Sequence, residues 1–223
     1  MIYSFTLINT FHDVCPRQAY ERWWLKCKVP DSPEMKAGMD DHKALEKRLQ
    51  HGYTLPDHLY ACERIIVPLL ERGIPLAERK MGVTRNLDFT GFFDNDVYIR
   101  SVADVMLYAK DNSSVFIGDW KTGKVKEDKD PLQHKILAAT AFSEYPQMQL
   151  VAAANIYTKT ATMGNVNTWR RSELPGLWRD IIPLVQEIEA AEQRKSFPER
   201  QGPLCGWCPV FKCRHNTNPQ RGN

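Results

Sequence analysis

The spacing of apolar residues changes along the chain, giving a helical opening, a strand-rich middle and a mixed close. Phe5, Leu7, Ile8 and Phe11 form one apolar face, and Pro16 stands where a second short helix would start, so residues 4–26 read as two short helices. After a turn between Pro30 and Pro33, helical spacing returns over Glu34–Gln50. It appears again over Asp57–Arg72, where Asp57 is the expected cap, Gly73 the stop and Pro68 the site of a kink. From Ile74 to Gly123 the pattern is that of strands: Pro75–Met81, then Val97–Tyr108, then a hairpin turn at Asp111-Asn-Ser-Ser into a strand opening at Val115. A charged loop, Lys124–Asp130, leads to a helix from Pro131 to about Phe142. Leu150–Thr158 reads as a buried strand, answered across Met163-Gly164 by Val166–Arg171. Trp178–Lys195 has a helical stripe of Ile181, Ile182, Leu184, Val185 and Ile188.

The strand around which this pattern turns is Val115-Phe-Ile-Gly-Asp119-Trp-Lys121-Thr-Gly-Lys124. Alternate side chains on a strand share a face, so Asp119 and Lys121 point one way and Trp120 points into the packing. A carboxylate and an ammonium side by side at the end of a buried strand suit metal-assisted hydrolysis: the first holds a divalent cation, the second sits by the water or phosphate. A surface ion pair is the plainer reading of the same three residues.

Composition narrows the class without naming a substrate. A chain of 223 residues, 43% hydrophobic, can bury one sizeable core and is expected to be one domain over 1–223. Within it, 1–73 is the helical part, 74–195 the core, 196–213 a cysteine-rich tail and 214–223 a disordered end. Thirty basic against 27 acidic residues, a net charge of +3, neither demands nor excludes nucleic acid. No apolar run approaches the ~20 residues of a membrane span and no signal peptide opens the chain, so a soluble, cytoplasmic protein is expected. Six cysteines without an export signal argue against a disulfide framework. Cys15, Cys205, Cys208 and Cys213 have the spacing C-x189-C-x2-C-x4-C, a strong metal signal, whereas Cys27 and Cys62 stand alone.

Several stretches resemble, in order, the motifs of PD-(D/E)XK nucleases of the RecB type, which include AddB-type and CRISPR-associated exonucleases. Cys15-Pro-Arg-Gln-Ala-Tyr20 resembles the family's opening Cys-Pro-Arg-x-x-Tyr, and Gly38-Met-Asp-Asp-His42 its Gly-x-x-x-His. Glu78 falls on a strand like the family's glutamate strand, and Asp104 at the metal-aspartate position, with Ser101 in place of the usual glycine. Asp119-Trp-Lys121-Thr-Gly resembles the Asp-x-Lys-Thr-Gly signature. Gln133 opens a Gln-x-x-x-Tyr motif in which Leu137 replaces the tyrosine.

The resemblance implies an α/β fold with a restriction-endonuclease-like core: a central mixed β-sheet flanked by helices, with N-terminal helices tied to the cysteine-rich tail. It implies that His42, Asp104, Asp119 and the backbone carbonyl of Trp120 hold Mg²⁺ or Mn²⁺. Asp104, Asp119, Lys121, Glu78 and Gln133 would be catalytic, Lys121 working on the water and Gln133 orienting Lys121 or the scissile strand. It further implies a [4Fe-4S] cluster on Cys15, Cys205, Cys208 and Cys213, with structural Zn²⁺ as the competing occupant. The implied activity is a metal-dependent deoxyribonuclease, an exonuclease on single-stranded DNA or DNA ends, in recombination, end processing or CRISPR-type spacer processing. DNA is the expected partner, with recombination or CRISPR-adaptation proteins beside it. A catalytically silent DNA-binding or assembly subunit with the same fold is the alternative. Arg17, Arg22, Lys26 and Lys28 with Trp23 and Trp24 fit either a DNA-contacting helix or a basic helix with two buried tryptophans. Asp40 and Asp41, and Arg170, Arg171, Arg179, Arg194 and Lys195, read as solvated charges.

Overall fold

The structure, a computed structural model, describes residues 1–27, 32–123, 125 and 131–218. The Pro30 turn, Lys28, Lys124, the loop 126–130 and residues 219–223 lie outside them. The chain forms two compact units: Met1–Ile2 with Ser32–Trp178, and Tyr3–Asp31 with Arg179–Asn223.

In the first unit seven strands make one mixed sheet: β1 (Gly73–Val83), β2 (Phe89–Thr90), β3 (Ile99–Ala109), β4 (Ser114–Lys121), β5 (Leu150–Tyr157), β6 (Thr162–Met163) and β7 (Asn167–Arg170). The order is β2-β1-β3-β4-β5-β6, with β7 also pairing β5. Every pairing is antiparallel except β4 with β5. Parallel neighbours cannot be joined by a tight turn, and α5 (Leu132–Glu144) lies in the connection between these two. The α/β class expected from the sequence, a mixed sheet with helices against it, is the one found.

Burial along β3 shows how the two faces are used. Ile99, Ser101 and Ala103 are buried, while Arg100, Val102 and Asp104 are half-buried on the opposite side. The buried side meets α5, where Ser101 and Thr140 share a 2.7 Å hydroxyl contact. Ser101, the departure from the family glycine, therefore faces away from Asp104, and Leu137 is likewise buried at 2% exposure. A second apolar cluster joins Leu45 and Leu49 of α3 (Pro33–His51) to Leu59, Cys62, Ile66, Val105, Leu107, Trp120 and Ile156. Fully burying each of these side chains contributes about 1.5–3 kcal/mol. Trp120 thus points into the packing, as strand alternation predicts, and Cys62 is a core thiol whose pKa burial pushes up. Helix α3 starts at Ser32, whose hydroxyl accepts from the Met35 N–H at 3.2 Å, and ends at Gly52 with φ +72.

Several elements differ from the expectations. Asp57 caps nothing: Pro56 holds that place, Asp57–Cys62 form a 3-10 turn, and only Glu63–Leu70 (α4) is α-helical, with Pro68 inside it. Asp41 is not simply solvated, because His58 Nε2 lies 2.7 Å from its carboxylate. Arg171 is not a free surface charge either. Its guanidinium donates to the carbonyls of Met148 (2.5 Å), Phe142 (3.0 Å) and Tyr145 around the end of α5, where Pro146, four residues after Phe142, has no N–H to offer. The last long helix, α6 (Leu174–Gln193), begins four residues before Trp178, after a 3-10 turn in which Glu173 accepts from the Arg170 N–H.

The second unit has the two expected N-terminal helices, α1 (Phe5–Asn9) and α2 (Pro16–Trp23), joined by a π-helical turn at Thr10–Val14. Trp23 and Trp24 are half-buried rather than buried. Trp24 stacks near Tyr20 and Phe197 and donates to Glu192 at 2.8 Å, while Arg22 lies over the Trp23 ring. In the tail, Asn216 is 4% exposed and donates to the carbonyls of Cys208 and Val210. Among the described residues no helix is long and apolar enough to cross a membrane.

Candidate metal centre and its neighbours

Three elements of the first unit bring the candidate residues to one groove of about 770 Å³, lined by Glu34, Gly38, His42, Glu46, Glu78, Val102, Asp104 and Thr122 among others. Helix α3 supplies His42 and lies close to the end of β4 because Gly38, one turn earlier, has no side chain. A Cβ there would stand 3.2 Å from the Thr122 hydroxyl. Strand β3 supplies Asp104 and β1 supplies Glu78. The register pairs Ala77 with Val105 and Arg79 with Ala103, which leaves Glu78 opposite Asp104. Glu78 has φ +50, a left-handed conformation inside a strand that costs about 1–3 kcal/mol and persists only where the surroundings impose it.

His42, Glu78 and Asp104 each offer a ligand atom within 4.8 Å of the others, the one such trio among the described residues. His42 Nδ1 is 3.5 Å from Asp104 Oδ2, and the Trp120 N–H donates to that same oxygen at 2.8 Å. A hydrogen bond also joins the His42 ring to the backbone of Trp120. The Trp120 peptide therefore lies against both side chains.

Asp119 sits beside the trio. Its Oδ1 accepts from Gln133 Nε2 at 2.5 Å, and its Oδ2 lies 2.5 Å from Lys121 Nζ. The geometry of that second contact is an ion pair rather than a directed hydrogen bond, since Oδ2 has no hydrogen-bond partner. Lys121 in turn donates to Gln133 Oε1 at 2.8 Å. One amide thus holds both members of the Asp-x-Lys pair, an orienting role for Gln133 that its residue type alone does not reveal.

The electrostatics suit a cation. Burial, and then the charge of Asp119, push the Asp104 pKa up to about 8. Burial and the charge of Glu46 raise that of Glu78, whereas burial lowers that of His42 and keeps its imidazole neutral. Two carboxylates that resist ionising together, beside a neutral imidazole, are a donor set that a divalent ion would relieve, and oxygen with nitrogen ligation fits Mg²⁺ or Mn²⁺. Glu46 is the residue the sequence reading passed over. It lies one turn beyond His42, a helical spacing that would have flagged it.

In the second unit, Cys15, Cys205, Cys208 and Cys213 line one cavity of about 250 Å³. Backbone N–H groups of Arg200 and Gly202 donate to the sulfurs of Cys15 (3.3 Å) and Cys205 (3.4 Å). No three of the sulfurs lie within 4.8 Å of one another. Cys27 is exposed and its thiol donates to Glu21.

No family model matches the chain, and no curated protein does. Among solved structures the fold is similar to that of a candidate exonuclease from Eubacterium rectale, with a TM-score of 0.56 over 96% of this chain and 88% of that one, at 12% identity. At that identity the likeness speaks for the fold. The crystal structure of a protein designated SSO0001 aligns over 96% of this chain and 86% of its own at 13% identity, with a TM-score of 0.47 that carries no argument.

Proposed function

We propose that the chain is a divalent-metal-dependent nuclease that hydrolyses DNA phosphodiester bonds, acting as an exonuclease on single strands or ends. The observation that carries this reading is the convergence of His42, Glu78 and Asp104 within 4.8 Å, beside the Asp119–Gln133–Lys121 chain, in one open groove. The exonuclease description of the Eubacterium rectale protein agrees with it.

A bound Mg²⁺ or Mn²⁺ would polarise the phosphodiester and lower the pKa of water. His42, Glu78, Asp104 and Asp119 would hold it, with the Trp120 carbonyl close by. Gln133 keeps the Lys121 ammonium at the mouth of β4, where its charge can neutralise phosphate oxygens as negative charge builds in the transition state. The buried Trp120 lies between Asp119 and Lys121 in sequence and on the other face of the strand, packed among Leu45, Leu49 and Ile156.

For the second unit the proposal is a [4Fe-4S] cluster on Cys15, Cys205, Cys208 and Cys213. The shared cavity and the N–H groups directed at two sulfurs support it, with structural Zn²⁺ as the competing occupant. Its role would be structural, tying the first helices to the tail.

The deciding experiment is incubation of end-labelled single- and double-stranded DNA with the protein in Mg²⁺, Mn²⁺ or EDTA. Metal-dependent shortening from an end is expected. Binding without cleavage in every metal would leave a silent DNA-binding subunit instead.

A further inference from the structure

The turn between β2 and β3 carries an aromatic pair, Phe93 exposed and Phe92 half-buried, that the proposed chemistry does not use. Phe93 is 76% exposed, and its ring meets that of Phe92 edge-on, with centroids 4.9 Å apart. Two cations lie over these rings: Lys80 Nζ is 5.1 Å from the Phe93 centroid, and the Arg100 guanidinium is 4.9 Å from that of Phe92. Neither Lys80 nor Arg100 forms a salt bridge among the described residues. The acidic side chains of the turn are tied into it, Asp94 accepting from the Gly91 N–H at 2.9 Å and Asp96 from the Thr90 hydroxyl at 2.8 Å.

Register places this group on the face of the candidate metal centre. Lys80 pairs with Val102 and Gly82 with Arg100, and directly paired residues share a face of the sheet. Arg100, Val102 and Asp104 alternate along β3, and Val102 lines the groove that holds Asp104 and Glu78. Arg100, whose guanidinium lies over the Phe92 ring, is therefore about 14 Å from Asp104 along the strand, four residues at ~3.4 Å each, with Val102 as the step between.

We infer that Phe92 and Phe93, flanked by Lys80 and Arg100, form a stacking platform for unpaired bases of a single DNA strand whose backbone runs on into the groove. The inference rests on the nuclease reading for its direction, though not for its test. A Phe with most of its ring in water contributes little to the core. Flat aromatic faces stack any base without regard to sequence, while cations that form no salt bridge among the described residues meet the phosphates between them.

The test is fluorescence anisotropy of labelled twelve-residue oligothymidylate in EDTA, so that cleavage plays no part. Phe93→Leu keeps an apolar side chain but removes the π face, and is expected to weaken binding about tenfold, within the range measured for base–aromatic stacking. Phe93→Trp restores the affinity or tightens it. Lys80→Ala and Arg100→Ala each weaken binding and lower the slope of log K against log salt by about 0.7. Blunt duplex of the same length, which offers no unpaired base, shows no loss in Phe93→Leu. Wild-type affinity in Phe93→Leu, an equal loss on duplex, or no binding of the oligonucleotide by wild-type protein overturns the platform. Absence of cleavage in Mn²⁺ with this binding pattern intact would remove the nuclease reading alone.

Discussion

At the residue scale, Lys121 sits between Asp119 and Gln133 and has no structural load beyond them. Lys121→Ala should therefore fold, keep its Mn²⁺ affinity and lose about 10²-fold or more in single-turnover cleavage, the usual cost of removing a transition-state charge or acid–base group. Asp104→Asn should instead lose Mn²⁺ binding in a calorimetric titration. Asp104 also sets a pH dependence. Its pKa in the fold, about 8, lies above the ordinary carboxylate value near 4, so its proton binds the folded chain more tightly than the unfolded one. The stability this contributes is present in full below pH ~4 and is lost as pH rises through about 8. Between pH 7 and 9, where His42 is neutral in both states, the metal-free protein should fall in Tm. The Mn²⁺-induced rise in Tm should grow over the same range, because the ion competes with a departing proton. Asp104→Asn should flatten both trends, as thermal melts with and without Mn²⁺ would show.

At the scale of elements, α5 depends on a residue far from it in sequence. Arg171 donates to three carbonyls at and just beyond its end; Tyr145 also accepts from the Met148 N–H, but those of Phe142 and Met148 would be left without a donor. Arg171→Ala should cost about 1–3 kcal/mol in a urea titration, the range for stranding such groups. Helical and strand periods placed most elements because burial on one face imposes them. The exceptions have local causes. Pro56 occupies the capping position before Asp57 and has no side-chain acceptor to offer, so the segment opens as a 3-10 turn. Glu173 bonds the Arg170 N–H and sets the start of α6 ahead of Trp178.

At the scale of the whole molecule, the chain divides into a sheet unit with the candidate metal centre and a helical unit built from both ends of the sequence. The second holds the four cysteines around one cavity, so the cofactor should be separable by mutation. Anaerobically purified protein is expected to be brown with roughly four irons per chain. Cys208→Ala should lose the colour and iron, whereas Cys27→Ser and Cys62→Ala should keep both, since one thiol bonds Glu21 and the other lies in the core of the first unit. Metal analysis that found one zinc per chain would replace the cluster with a zinc site.

What the sequence determined by itself was local or periodic: strand alternation put Trp120 on one face and Asp119 with Lys121 on the other, and the cysteine spacing marked four thiols apart from two. The resemblance then nominated His42, Glu78, Asp104 and Gln133, residues spread over ninety positions that periodicity cannot join. Only the tertiary structure decided that Glu78 stands opposite Asp104, that Gln133 bridges Asp119 and Lys121, and that Lys80, against the Phe93 ring, pairs with Val102 of the groove. Those relations depend on strand register and on the close approach at Gly38, and both are set by how distant segments pack.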